Sequence, residues 1–326
     1  MGTQKQPILI RCDGGSVIGM GHVMRMMYLA EEFLKLGIST AFYGSYDSSI
    51  AALIKERGHQ VFSAQAEDNL DVFNLVDLLS PMAVIFDVRD NTAPSILERL
   101  RCIGIKTMTY DDISERCFVA DLAIFHPIPQ VKKLLEREFK GEVVIGPEWV
   151  LVDSGLVIRR SAFKKQSSAS KIFLSLGGAD PLQLTLRLAV EISREGFEVV
   201  VGLGRANSNY GHIQAELNKL GIQVTDDHFS EILKSEIAVV AFGTIAWEVA
   251  TLKRPSILIC ATEDHFESAE TLVNHGVSVR HLSDSQIVKK VLQDLDSYSE
   301  GQLKFSNHFP SDGLAAKRLA KKLLGL

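Results

Sequence analysis

Short apolar runs alternate along the chain with longer stretches whose apolar positions recur at helical spacing. An apolar run bounded by turn residues reads as a buried strand and the helical spacing as an amphipathic helix, so the alternation predicts parallel sheets with helices on both faces. In the first half, strands are expected at 7–11 (PILIR), 39–43 (STAFY), 82–86 (MAVIF), 105–109 (IKTMT) and 121–125 (DLAIF), with helices over 21–36, 48–57, 68–79 and 94–101. The first helix carries Val23, Met26, Met27, Ala30, Phe33 and Leu34 at helical spacing and meets its stop at Gly37.

The second half repeats this order. Strands are expected at 171–176, 197–202, 222–225, 236–242 and 255–260, with helices near 181–194, 212–220, 244–252 and 264–275. Between the halves, 155–170 (GLVIRRSAFKKQSSAS) turns basic and then rich in serine and alanine, as a connection does. The expected division is a first domain over 1–156, a linker over 157–170 and a second domain over 171–326. The closing LAAKRLAKKLLGL predicts a basic amphipathic helix packed on a domain surface. The fold class is therefore α/β, with two Rossmann-like doubly wound domains. Such domains bind ligands outside the carboxyl ends of their strands, and the expected site is a cleft where two such edges face each other.

A length of 326 residues suits two domains of roughly 150 residues each. With 46% hydrophobic residues, 23% charged residues and a net charge of -5, the composition is that of a globular chain, and no basic stripe points to nucleic acid. No apolar run reaches the ~20 residues that span a bilayer, and MGTQKQPILI has no signal-like apolar stretch, so neither membrane insertion nor secretion is expected. Cys12, Cys102, Cys117 and Cys260 form no CxxC pair, which points away from a disulfide framework and towards the cytoplasm. HExxH and multi-Asp metal spacings are missing, as is GxSxG, so neither a metal nor a serine triad is expected, and no cofactor. Oligomeric state is not legible.

Three segments lie between a strand and a helix: RCDGGSVIGMGHVMR, SLGGADP (175–181) and AFGTIAWEVATLKRP (241–255). Glycine there lets backbone approach a ligand, while the N–H groups of the following helix attract an anion such as phosphate. Gly19 and Gly21 belong to the first segment, Gly177 and Gly178 to the second, and Gly243 and Thr244 open the helix of the third. None matches GxGxxG or GxxxxGK[ST], so each alone is more often a mere turn than a phosphate site. Glu248, about one turn into its helix, suits a ribose diol, or else merely complements the dipole of a surface helix. His22, in a first helical turn, is in a place where the dipole favours a neutral imidazole that can act as a base. The bland alternative is a structural histidine. Arg25, three residues on, is on the same side and suits an anionic ligand. Strand-end carboxylates add Asp13, Asp87 and Asp90 around Arg89, and Asp111 and Asp112 near Arg116, with site and helix-cap roles equally open for Asp112. Glu263, Asp264 and His265 follow the last expected strand.

Taken together, RCDGGSVIGMGHVMR, YDDISER, SLGGADP and FGTIAWEVATLKRPSIL resemble the UDP-sugar hydrolase family of the pseudaminic acid pathway and its spore-coat polysaccharide relatives, in the same order over nearly the whole chain. The last segment also resembles the donor-nucleotide region of the glycosyltransferase that adds N-acetylglucosamine in peptidoglycan assembly. The resemblance implies a GT-B-like architecture, with UDP in the second domain, Glu248 on the ribose and the backbone at Gly243 and Thr244 on the diphosphate. It implies His22 as the base that activates water at the anomeric carbon, with inversion and without metal. Asp13, Gly19, Gly21, Arg25, Asp87, Asp112, Asp264 and His265 are then expected on the sugar and diphosphate side. The chain departs from the pattern at Val88 and Arg89 (His-Tyr in the family), at Phe125, His126 and Pro127, at Asp264 and His265 (Asn-Gln), and at 153–156 (Arg-x-Glu-Phe). Most of these lie on the sugar side. The expected partner is a small-molecule nucleotide sugar. Glycosyl transfer to an acceptor, or nucleotide-sugar binding without chemistry, are the alternatives.

Overall fold

The structure, a computed structural model, describes residues 5–15, 18–64, 71–163, 170–177, 180, 184–204, 207, 209–281, 283–302 and 308–325. Gly178 lies outside the described residues. The chain divides into two compact units, Met1–Leu151 with Leu314–Leu326, and Val152–Gly313.

The first unit runs β1 (Ile8–Cys12), α1 (Gly21–Lys35), β2 (Thr40–Gly44), α2 (Ser48–Glu56), β3 (Gln60–Ser63), α3 (Val72–Leu79), β4 (Ala83–Asp87), α4 (Pro94–Cys102), β5 (Lys106–Tyr110), β6 (Leu122–Phe125), α5 (Val131–Leu134) and β7 (Glu142–Ile145). All its strand pairings are parallel, in the order β3-β2-β1-β4-β5-β6-β7. Successive residues of a strand point to opposite faces. Ile8, Ile10 and Cys12 of β1, Ala83 and Ile85 of β4, Met108 and Tyr110 of β5, and Leu122 and Ile124 of β6 therefore share one face, packed under α1. Leu9, Val84 and Phe86 face the other way, against α3 and α4.

The second unit runs α6 (Leu156–Ala162), β8 (Lys171–Ser175), α7 (Leu184–Arg194), β9 (Glu198–Gly202), α8 (Tyr210–Lys219), β10 (Gln223–Thr225), α9 (His228–Lys234), β11 (Ile237–Ala241), α10 (Thr244–Thr251), β12 (Ser256–Cys260), α11 (Glu263–Val273), β13 (Ser278–His281) and α12 (Ile287–Ser299). Its sheet is parallel, in the order β10-β9-β8-β11-β12-β13. In both sheets the chain winds outward to one edge and then returns beside the first strand. The order therefore reverses between β1 and β4, and between β8 and β11. Doubly wound sheets bind ligands at such switch points. The architecture is the expected α/β pair of Rossmann-like units.

The units close differently from the expected division at 156 and 171. The last helix, α13 (Ala315–Leu324), packs in the first unit, with Ala315, Ala316, Leu319, Ala320 and Leu323 buried in the cluster that holds Met26, Met27, Ala30 and Phe33 of α1. Its amphipathic stripe fixed that it would pack, but not on which core. The segment expected to be linker opens instead as α6, whose Arg160 donates to the Thr251 carbonyl at 2.7 Å. Leu34, expected in the core, is exposed.

The strands β3, β7 and β13 are additions to the expected set. Each is an edge strand with only partial burial, so none carries the apolar run that betrays a central strand. The helices α9 and α12 are also additions. Among the described residues, no helix is long and apolar enough to cross a membrane. All four cysteines are unbridged.

Because Leu319 is fully buried against α1, Leu319→Ala is expected to destabilise the protein by about 2–5 kcal/mol, the usual cost of such a cavity. The denaturation midpoint of the full chain measures it.

Candidate active site

The loop after β1 is shaped by glycine. A Cβ on Gly14 would sit 2.6 Å from Val23 of α1, and Gly19 has a φ of +83°, so the chain turns tightly into the helix. Gly15 and Gly19 exchange backbone hydrogen bonds of 3.1 and 2.7 Å across that turn. Met20, the N-cap of α1, supplies no side-chain cap, and Gly21 is its first residue. His22 and Arg25, three apart, then point from the first turn onto the carboxyl edge of the sheet.

Strand parity fills that edge. Asp87 continues the Ala83–Ile85 face of β4 and His126 continues the Leu122–Ile124 face of β6, so both arrive beneath α1 with Tyr110. Asp87, 1% exposed, accepts from Arg25 Nε at 2.6 Å through Oδ2 and from Arg25 Nη2 through Oδ1. The Asp87 Oδ1 atom also lies 2.7 Å from His22 Nδ1. Arg25 Nη2 is 3.1 Å from the same Nδ1. Arg25 Nη2 is donor-only and already donates to Asp87, so the shorter contact, with the acceptor-only carboxylate, favours a proton on Nδ1 and leaves Nε2 facing away from Asp87. The His22 side chain is 19% exposed.

Asp111 extends the network. It sits beyond β5 with a φ of +53°, a left-handed conformation that aspartate tolerates at modest cost and that turns its side chain inward. Its Oδ2 accepts from Arg25 Nη1 at 3.2 Å and from Arg89 Nη2 at 3.5 Å, and its Oδ1 lies 3.5 Å from His126 Nδ1. The Tyr110 hydroxyl lies 2.9 Å from His126 Nε2, and Arg25 stacks over the Tyr110 ring at 5.0 Å.

These contacts set the charges. Burial alone would raise the Asp87 carboxyl, but Arg25 and His22 outweigh it and hold the group well below the usual carboxylate range. Burial would likewise raise Asp111, and His126, Arg25 and Arg89 together hold it down. For Arg25, burial works against the charge and Asp87 and Asp111 overcome it, so the guanidinium stays protonated. His126 is pulled down to about 4 by burial, against the opposing pull of Asp111. It is neutral near pH 7.

Several expected site residues serve other purposes. Arg25 was expected to meet a ligand; it is buried and braces Asp87 and Asp111 instead. Asp112, 2% exposed, receives Arg116 Nε at 2.7 Å and the Ser114 N–H at 2.9 Å, which makes it a structural clasp. Asp13 accepts from both ends of Arg11 and from the Ser45 N–H at 2.8 Å. Asp111, one of the strand-end carboxylates, completes the cluster with Tyr110, which the sequence did not single out, and His126, which it marked only as a departure from the family pattern. Parity along β5 and β6 was the signal for the last two.

In the second unit, the loops after β8, β11 and β12 come to one edge of the sheet. Gly177 has a φ of +78°, and Asp180, 4% exposed, caps α7 by accepting from the Leu184 and Thr185 N–H groups at 2.9 and 3.0 Å. Gly243 is the N-cap of α10 and offers no side chain there, with Thr244 the first helical residue. Glu248 is 6% exposed, which rules out a surface helix whose dipole it merely complements. Asp264 and His265 lie in the first turn of α11, capped by Thr262, and the His265 ring packs 5.7 Å from Phe242, just before Gly243. Asp264 is exposed.

No family model matches the sequence. The chain is 21% identical over 286 residues to the UDP-2,4-diacetamido-2,4,6-trideoxy-beta-L-altropyranose hydrolase of Campylobacter jejuni, covering 84% of this chain and 98% of that protein. It is 20% identical over 280 residues to the spore coat polysaccharide biosynthesis protein SpsG of Bacillus subtilis, covering 83% and 82%. An uncharacterized protein of Methanocaldococcus jannaschii is 23% identical over 278 residues, 78% of this chain, and the match spans 56% of that protein, little more than half its length. Among solved structures, the Staphylococcus aureus MnaA complex with UDP superposes with a TM-score of 0.63 at 12% identity, covering 99% of this chain and 98% of that one. Acinetobacter baumannii MurG superposes with a TM-score of 0.62 at 12% identity, covering 98% and 100%. The structural likeness carries the fold, a GT-B-like pairing of Rossmann-like units. The relatives carry the resemblance to the UDP-sugar hydrolases and their spore-coat counterparts.

Asp87→Asn strips the buried guanidinium of its main counter-charge, and a loss of about 3–5 kcal/mol in denaturant-measured stability is expected. A separate pH effect belongs to His126. Its folded value of about 4 lies below the ordinary 6.5, so as the pH falls through that window the unfolded chain takes up the proton first and stability drops, by on the order of 3 kcal/mol. Asp87, held below the usual range, contributes fully throughout this window, and its share is lost only at lower pH. Stability-against-pH curves for the wild type and His126→Gln should therefore diverge between pH 6.5 and 4, with the variant flatter.

Proposed function

We propose that the chain is an enzyme acting on nucleotide sugars, and specifically a hydrolase that cleaves the anomeric C–O bond of a UDP-linked sugar, in polysaccharide biosynthesis. One observation carries the reading: at the switch point of the first sheet, His22 Nδ1 is held 2.7 Å from the buried Asp87 carboxylate, an arrangement that suits Nε2 to accept a proton. A base so oriented is what attack by water requires. The relatives' names, one a UDP-sugar hydrolase and one a spore-coat polysaccharide protein, support the same class.

In the proposed step a water oxygen bonds to the anomeric carbon while the bond from that carbon to the diphosphate oxygen breaks. The bonding pair leaves with UDP, and the water's proton passes to His22 Nε2. The resulting imidazolium is stabilised through Nδ1–H by Asp87, whose own charge Arg25 keeps in place. Attack opposite the leaving group inverts the anomeric centre. In this reading the second unit holds the nucleotide, with Glu248 on the ribose, Gly177, Gly243 and the first turn of α10 at Thr244 on the diphosphate, and Asp264 and His265 beside them. Helix N-terminal N–H groups meet the charge that develops on the departing oxygen. The sugar then lies against the first unit, beside Gly19, Gly21 and His22.

The test incubates a panel of UDP-sugars with the protein in water enriched in oxygen-18. UDP release without an added acceptor, with the label in the sugar and not in UDP, is the expected outcome. His22→Ala should lose about 10²–10⁴-fold in kcat, the usual share of a general base, and Glu248→Ala should raise KM about tenfold or more. Release that depends on an added hydroxyl compound would instead mark a glycosyltransferase, and nucleotide binding without turnover a binding protein.

A further inference from the structure

We propose that Arg89 reads a negative charge on the sugar, so that the substrate is a UDP-linked acidic sugar, in its simplest form a uronic acid. The inference rests on the placement of the sugar beside His22 given above.

Most charges at this edge are neutralised or withdrawn from solvent. Arg25 and Asp87 neutralise each other under α1, Asp87 being 1% exposed. Asp111 is buried, and His126 is neutral near pH 7. On the other side, Asp90 is taken by Arg11 at 2.9 Å and by Arg116 at 2.7 Å. Arg89 is the exception. Its side chain is 45% exposed, and its one hydrogen bond among the described residues is the 3.5 Å contact with Asp111. A ligand at this edge therefore meets a cation whose donors are mostly open, beside carboxylates already paired with Arg25, Arg11 and Arg116.

The backbone that carries Arg89 is fixed. The buried Arg116 guanidinium donates to the Val88 carbonyl at 3.1 Å, to the Asp90 carbonyl at 2.9 Å and to the Thr92 carbonyl at 3.2 Å. Those are the residues on either side of Arg89. A clamped backbone removes the loop's share of the ordering cost on binding an anion, and leaves only the arginine side chain to be ordered.

Arg89 is also at the right range from the base. His22 Nδ1 contacts Arg25 Nη2 at 3.1 Å, Arg25 Nη1 contacts Asp111 Oδ2 at 3.2 Å, and that oxygen contacts Arg89. The imidazole and the guanidinium are thus linked through only two intervening side chains at the carboxyl edge of one sheet, and the proposal sets the sugar's carboxylate on the guanidinium. The planar fork of arginine matches a carboxylate bidentately, a pairing that a neutral hydroxymethyl group cannot provide.

The experiment compares UDP-glucuronic acid with UDP-glucose, and UDP-N-acetylglucosaminuronic acid with UDP-N-acetylglucosamine. These pairs differ at the carboxylate alone. Calorimetric binding to the full chain and UDP release are both read, with UDP alone as reference. The wild type is expected to bind the acidic member of a pair about tenfold or more tightly than the neutral one. Arg89→Gln should bring that ratio near one while leaving the affinity for UDP and the unfolding midpoint unchanged, and Arg89→Lys should restore part of it. Equal binding of acidic and neutral sugars by the wild type overturns the proposal. So does an Arg89→Gln variant that weakens UDP alone in the same proportion, because Arg89 would then hold the diphosphate. If the ratio and its loss are seen but no UDP is released, the hydrolase reading fails and the role of Arg89 stands. Failure to bind UDP or any UDP-sugar overturns both.

Discussion

The buried contact between Arg25 and Asp87 is the constraint on which the arrangement of the first unit's strand-end groups depends. A carboxylate 1% exposed is tolerable only if its charge is matched. Arg25 matches it with two donors from one guanidinium. Because Arg25 and His22 are three residues apart on α1, satisfying the arginine also fixes the rotation of the helix, and with it the imidazole against the same carboxylate. The pair locks the phase of a helix to the parity of a strand. An imidazole that is both oriented and partly exposed follows from that lock.

Two charge networks leave the same strand ends on opposite sides of the first sheet. Under α1 lie His22, Arg25, Asp87, Asp111 and His126. Towards the Leu9 side, Arg11 and Arg116 hold Asp13, Asp90 and Asp112. The second network touches none of the proposed chemistry, yet Arg116 grips the backbone around Arg89 and so stiffens the loop that carries it. The two networks thus differ in reach: one gathers the His22 and Asp87 side chains under α1, the other holds the backbone of the neighbouring loop. The second unit is simpler, with glycine at the switch-point loops and the side-chain caps Asp180 and Thr262 on α7 and α11.

Much of this was legible in the chain. The central strands declare themselves because burial on both faces demands continuous apolar runs, and the switch-point loops because they join such a run to a helix through glycine. His22, Gly243 and Glu248 were picked out as candidates that way. The edge strands β3, β7 and β13 were not, since an edge pairs on one side and needs no such run. Asp112 looked as good a site residue as Asp87, and only the spatial arrival of Arg116 separates a clasp from an orienting group.

What the sequence determined by itself is local and periodic: which segments are strands, which are helices, and which face of each is apolar. Those follow from backbone geometry and burial, which act over a few residues. The tertiary structure decided which distant groups became partners. Asp87 and His22 are 65 positions apart, and they meet because β4 returns beside β1. The final helix could bury its stripe against any apolar surface, and it is the core of the first unit, beside α1, that receives it. Pairing of charges and choice of core depend on strand order, and strand order is a property of the whole chain, which no window of residues contains.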